Sequence, residues 1–210
     1  MERIGSTLLT YILRFARGTA RTIYLRMSNA LSTYYENIDS INQLHRIAIE
    51  KEKTGMEPDI TDILHAELTL LVCAFDTFIH DVIADVQTDR LLNDKTWKKN
   101  LIFQYGEFHK YTFPKSKAIA YAFNKCNICD IWEKITPYLN ESPAIVQQKL
   151  DEMVHECDLI AHQANKDSET RKKRSITFEY LENSKSFLTQ IAIGFDQMIK
   201  DIYFTAHRGK

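Results

Sequence analysis

Apolar side chains recur at intervals of three and four residues through most of the chain, the period of an amphipathic helix. Between Ser28 and Lys53 the series is Leu31, Tyr34, Tyr35, Ile38, Ile41, Leu44, His45, Ala48 and Ile49. Thr54-Gly55 ends it, glycine supplying a left-handed cap. Pro58-Asp59 opens a second helix to about Val86, with an apolar run so wide that it reads as the buried centre of a bundle. Within it, His65 and His80 read as satisfied structural histidines, and Cys73 as a small core residue.

The pattern weakens over residues 89–113, where Leu91 to Tyr105 allow one short helix around Trp97. The aromatic stretch Phe108 to Phe113 either anchors a loop on the core or stacks on RNA bases. Pro114 begins a helix to about Asn124, and Cys126 to Leu139 form another with Trp132 as its core anchor. Asn140-Glu141-Ser142-Pro143 has the form of an N-cap with proline in the first turn, and the helix it starts runs to about Asn165. A charged loop follows from Lys166 to Ser175. Thr177 then caps a final helix to about Phe204, with Leu181, Phe187, Leu188, Ile191, Phe195, Met198 and Ile202 on its apolar face. The predicted fold is all-α: an up-and-down helical bundle across residues 28–204, with no sheet.

Composition narrows this picture. Six Gly and four Pro in 210 residues favour long helices over many turns, and the length fits one domain (28–210) with an appendage (1–27). That appendage carries Arg3, Arg14, Arg17, Arg21 and Arg26 against Glu2 alone, and reads as a basic helix. It is an extra native helix, a transit-like peptide, or sequence upstream of a start at Met27. A net charge of −1 gives no global electrostatic case for nucleic acid. No apolar run reaches the roughly 20 residues that span a bilayer, so no membrane partner is expected. Four Cys without a secretory pattern point to a reducing, cytoplasmic setting. Cys126-Asn-Ile-Cys129 is a lone pair: zinc needs four ligands, and a thioredoxin-like site needs alternating strands and helices.

The helix from Pro143 holds more chemistry than folding requires. Val146, Leu150, Met153, Val154, Cys157, Ala161 and Ala164 make its apolar stripe. His155, Asp158, His162 and Asn165 fall on the neighbouring face at spacings of three, four and three. The face is either a wet polar surface or a reactive strip, and its spacing also permits a metal held by His155, Asp158 and His162.

Asp158-Leu-Ile-Ala-His162, with Gln-Ala-Asn-Lys-Asp after it, resembles the signature of the HEPN superfamily, in its RiboL-PSP-HEPN branch. That signature is an Arg, a polar residue, a few further residues and a His near the end of a helix. Asp158 fits the polar slot and His162 the His, while Cys157 stands in the Arg slot. The run from Asp62 to Ile83 is similar to the family's long early helix, Ile131 to Lys134 and Leu150 to Val154 to its approach to the motif, and Arg174 to Thr177 to the start of its last helix. The resemblance covers roughly residues 28–204.

The resemblance implies a HEPN-like bundle acting as a metal-independent endoribonuclease, of the toxin or abortive-infection kind. It implies a homodimer with both motifs in one cleft, restrained by an antitoxin or other defence partner, and no cofactor and no metal. His162, Asp158 and the Arg-slot residue Cys157 are then the catalytic positions. His155, Asn165, Lys166, Arg171, Lys172, Lys173 and Arg174 are the RNA-binding candidates, the basic run being otherwise a solvated loop. The chemistry is clear: a near-neutral imidazole moves protons, and a permanent, forked cation stabilises the phosphoryl charge. Cysteine supplies no such charge, and a loss of this kind typically costs about 100- to 1000-fold in rate. The chain is then a homologue that kept its fold for binding, an inactivated toxic nuclease, or an enzyme using another cation, such as His155 or one of Arg171 to Arg174. The competing function is a non-catalytic helical module for dimerisation or for binding RNA or a partner.

Overall fold

A computed structural model describes residues 29–55, 57–93, 114–162 and 175–208. The basic appendage, the aromatic stretch 108–113 and the loop carrying Asn165, Lys166 and Arg171 to Arg174 lie outside the described residues. The described fold is all-α, without a strand. Helix α1 covers residues 29–53, α2 Glu57–Asn93 and α3 Ser116–Lys125. Helix α4 is the short Ile131–Ile135, followed by a 3-10 turn at Thr136–Tyr138. Helices α5 (Pro143–His162) and α6 (Phe178–Arg208) complete the bundle. No described helix is long and apolar enough to cross a membrane.

Helix α2 is the axis of the bundle, packing against α6, α5 and α3. Leu64, Leu68, Leu71, Val72, Phe75, Phe78, Ile79, Val82 and Val86 are all buried. These residues span several helical rows, so α2 needs neighbours on more than one side. Helix α1 brings Tyr34 to the Phe78 ring, with 5.7 Å between centroids. Helix α6 brings Phe195 into a stack with Phe123 of α3 at 5.3 Å, and the Trp132 indole meets the same ring edge-on. At Gly194, an added Cβ would lie 3.0 Å from Ile135, so glycine is what lets α6 approach α4 this closely.

The helix boundaries follow from local chemistry. Gly55 sits at φ +74°, the left-handed stop expected of it. Val146 N–H donates to the Ser142 carbonyl, so Pro143 starts α5 where its missing N–H costs nothing. The Thr177 hydroxyl accepts from the Tyr180 N–H at 3.1 Å, capping α6 as its sequence predicts.

Three expectations need correction. Helix α2 continues to Asn93, past the expected end near Val86. Residues 126–139 do not form one helix: Asn127 and Asp130 adopt left-handed backbone angles (φ 53° and 56°), and Pro137 sits in the 3-10 turn. Cys73 is exposed on α2, because that side of the helix faces a shallow groove beside α1 rather than the core.

Candidate functional site

Helix α5 sorts its residues into an inner and an outer side. Val146, Leu150, Met153, Val154 and Cys157 face the core. Ile160 joins them, whereas Ala161 is exposed. Position 160 lies seven residues beyond Met153, nearly two full turns, and so returns to the same side.

Cys157, in the Arg slot of the resemblance, is fully buried against α2. Burial pushes its thiol up to about 11, and a hydrogen bond with Thr69 offsets only part of that rise. A thiol held so high is protonated at neutral pH and is no nucleophile. The side chain at 157 therefore does not share a surface with the outer strip, where His155 is exposed and Asp158 is a quarter exposed. His162 is the last residue of α5; its side chain lies outside the described ones.

Asp158 is tied to a residue that the sequence does not single out. Its Oδ2 lies 3.4 Å from Nζ of Lys115, in the segment leading into α3. One face further back along α5, Asp151 accepts from both the backbone N–H and the hydroxyl of Ser116, each at 2.7 Å. The Ser116 carbonyl in turn accepts from the Trp132 indole N–H at 3.1 Å. The start of α3 is thus fastened to α5 and α4 through one buried serine. Asp151 acts as an N-cap supplied by another helix, placing negative charge at the positive end of the α3 dipole.

A second polar constellation lies between α1, α2 and α6. Glu67 of α2 is 1% exposed, and its Oε1 meets His45 Nδ1 at 2.9 Å. His45 Nε2 reaches Glu182 at 3.4 Å, and the Lys185 ammonium donates to the Asn42 side-chain carbonyl. Burial raises the Glu67 carboxyl above its ordinary range, while the His45 imidazole pulls it back down. Periodicity places His45 on the apolar face of α1 and gives no weight to Glu67. A carboxylate inside the apolar run Leu64 to Val72, opposite a histidine on another apolar face, is the signal that would have found the pair.

Among the described residues, no group of three or more His, Cys, Asp or Glu is arranged to hold a metal ion. The Cys126 thiol is buried and the Cys129 thiol exposed, with no disulfide joining them, so the lone Cys-x-x-Cys does not face one site. A groove of about 440 Å³ runs between α5 and α6, lined by Lys149, Glu152, Met153, Tyr180 and Phe187 among others. It opens on the α6 side of α5, whereas Asp151 and Asp158 reach toward α3. No protein-family model, curated protein or solved structure matches the chain.

Proposed function

We propose that this chain is a HEPN-like, RNA-directed module whose working surface is the outer strip of α5, with Asp158 and His162 as the retained part of a metal-independent ribonuclease site. The observation that carries the reading is the placement of Asp158. It is a partly exposed acid beside a cation from another element, within one turn of an exposed imidazole, His155.

The reaction needs few groups. The ribose 2′-OH gives its proton to an imidazole, for which His162 is the candidate. The O2′–P bond forms and the P–O5′ bond breaks. The O5′ leaving group takes a proton from an imidazolium, supplied by His155 or by His162 of a second copy in a two-fold dimer. The products are a 2′,3′-cyclic phosphate and a 5′-OH, with no redox change and no cofactor. An antitoxin or other defence partner restraining the activity and a cytoplasmic location belong to the same reading, the latter supported by four cysteines that form no disulfide.

The test is cleavage of mixed-sequence RNA by the purified chain, with and without chelator, beside His162→Ala. The reading expects slow, chelator-insensitive cleavage leaving cyclic phosphate ends, abolished by the substitution. RNA that is bound but never cut, in amounts insensitive to His162→Ala, instead supports the non-catalytic binding module. That second reading is favoured by one observation of its own, the full burial of Cys157 where the motif carries its Arg.

A further inference from the structure

We infer that Lys115, from the segment ahead of α3, is the phosphate-binding cation of this site, held by Asp158 and doing what the Arg absent at position 157 does elsewhere. This rests on the proposed RNA-directed function and adds to it a residue outside the motif.

The argument begins with how Lys115 is rooted. Its neighbours on both sides, Pro114 and Ser116, are buried. Pro114 has a fixed φ, and Ser116 is fastened to Asp151 and Trp132 by the three hydrogen bonds described above. Lys115 itself is extended (φ −67°, ψ 146°), and its side chain is 54% exposed. A fixed root with an exposed tip is the form of a residue that reaches for something.

Helix formation does not account for a lysine here. Lys115 occupies the N-cap position of α3 and makes no side-chain capping bond. A cation at a helix N-terminus faces the like-signed end of the dipole, and N-caps favour Ser, Thr, Asp or Asn. Asp151 supplies both the cap and the compensating charge from across the interface, so the lysine is left to other work.

The tip is aimed as well as the root. Asp151 and Asp158 stand seven residues apart, on one side of α5. The first holds the backbone next to Lys115 and the second meets its ammonium. His155 lies between them in sequence and is exposed. A partly exposed pair of this kind contributes little to stability, so a phosphate can draw the ammonium from Asp158 at little cost. The lysine stem is flexible enough for that exchange. Cys157, two turns beyond Leu150 on the buried side, cannot deliver a charge to the same place.

The experiment measures binding of a single-stranded RNA oligonucleotide across a salt series, and cleavage of the same RNA, with the full chain. Lys115→Ala is expected to lower the slope of log affinity against log salt by about one phosphate contact, and Lys115→Arg to restore it. Cleavage should fall about 100-fold in Lys115→Ala, with an unchanged melting temperature. Asp158→Asn should tighten binding in the parent and have no such effect in the Lys115→Ala background, which a purely structural lysine would not produce. Lys115→Gln, which keeps most of the stem, serves as the second variant if alanine unfolds the chain. Unchanged slope and cleavage in Lys115→Ala or Lys115→Gln, with cleavage still abolished by His162→Ala, overturn the role of Lys115 alone. Wild-type chain that neither retains nor cuts RNA overturns both this inference and the reading it rests on.

Discussion

Glu67 and Asp158 are acids on adjacent helices, and each meets a base from a different element. Glu67 lies in the interior, 1% exposed, against His45. Asp158 lies at the rim, a quarter exposed, against Lys115. The chemistry of the two pairs is similar, and burial separates their roles. A charge taken from water must keep its partner or protonate, so the interior pair is bound up with folding. A pair that water can reach contributes little to stability and can exchange partners, so the rim pair is available to a ligand.

Placing a charge on the wrong side of this boundary should have the largest effect. Cys157→Arg puts a guanidinium into a wholly buried position beside Thr69. We expect a loss of about 3–5 kcal/mol, read as a large drop in the urea midpoint, rather than a gain of cleavage. A stable, fully folded Cys157→Arg chain with raised activity would show that α5 can turn its 157 face outward.

Next in size is the loss of the interior base. His45→Ala strands the Glu67 carboxyl in the core, and should cost about 1–3 kcal/mol in chemical denaturation. Glu67→Gln tests the same pair through pH. Burial lifts the Glu67 carboxyl above its unfolded value, so the folded state holds that proton more tightly than the unfolded chain. Its contribution to stability is therefore complete below the unfolded value of 4.5 and is lost as pH rises through the elevated folded value. Glu67→Gln should remove this decline, raising the midpoint at neutral pH with no gain at about pH 4. Asp76 and Asp81, also raised by burial, leave a residual slope of the same sign.

The smallest effects belong to the rim. Lys115→Ala and Asp158→Asn should each shift stability by less than about 1 kcal/mol, and the double variant by no more than their sum. A loss near that of His45→Ala in either would place this pair with the interior one.

What the sequence disclosed follows the same division. Helix ends fixed by neighbouring residues were legible: Gly55, the Ser142-Pro143 start and the Thr177 cap all act within a few positions of themselves. The core side of α5 was legible too, apart from the exchange of Ala161 for Ile160, since periodicity is a local property. The break after Lys125 was not, because Asn127 and Asp130 tolerate helical as well as left-handed angles, and the packing of Ile128, Ile131 and Trp132 selects the latter. Contacts between distant segments were the least accessible. His45 and Glu67 are 22 positions apart, Ser116 and Asp151 are 35, and no spacing rule connects them. The Lys115–Asp158 pair is hidden from the sequence for the same reason: the two become neighbours only when α3 docks on α5.

That docking leaves a mark on the exchange of amide hydrogens with solvent. The first N–H of a helix ordinarily frays and exchanges fast, since no carbonyl within its own helix accepts it. Ser116 opens α3, yet its N–H is buried and held by Asp151 of another helix. It can be released only by separating α3 from α5. The Ser116 amide should therefore exchange as slowly as those in the middle of the bundle, and its rate reports the opening of that one seam.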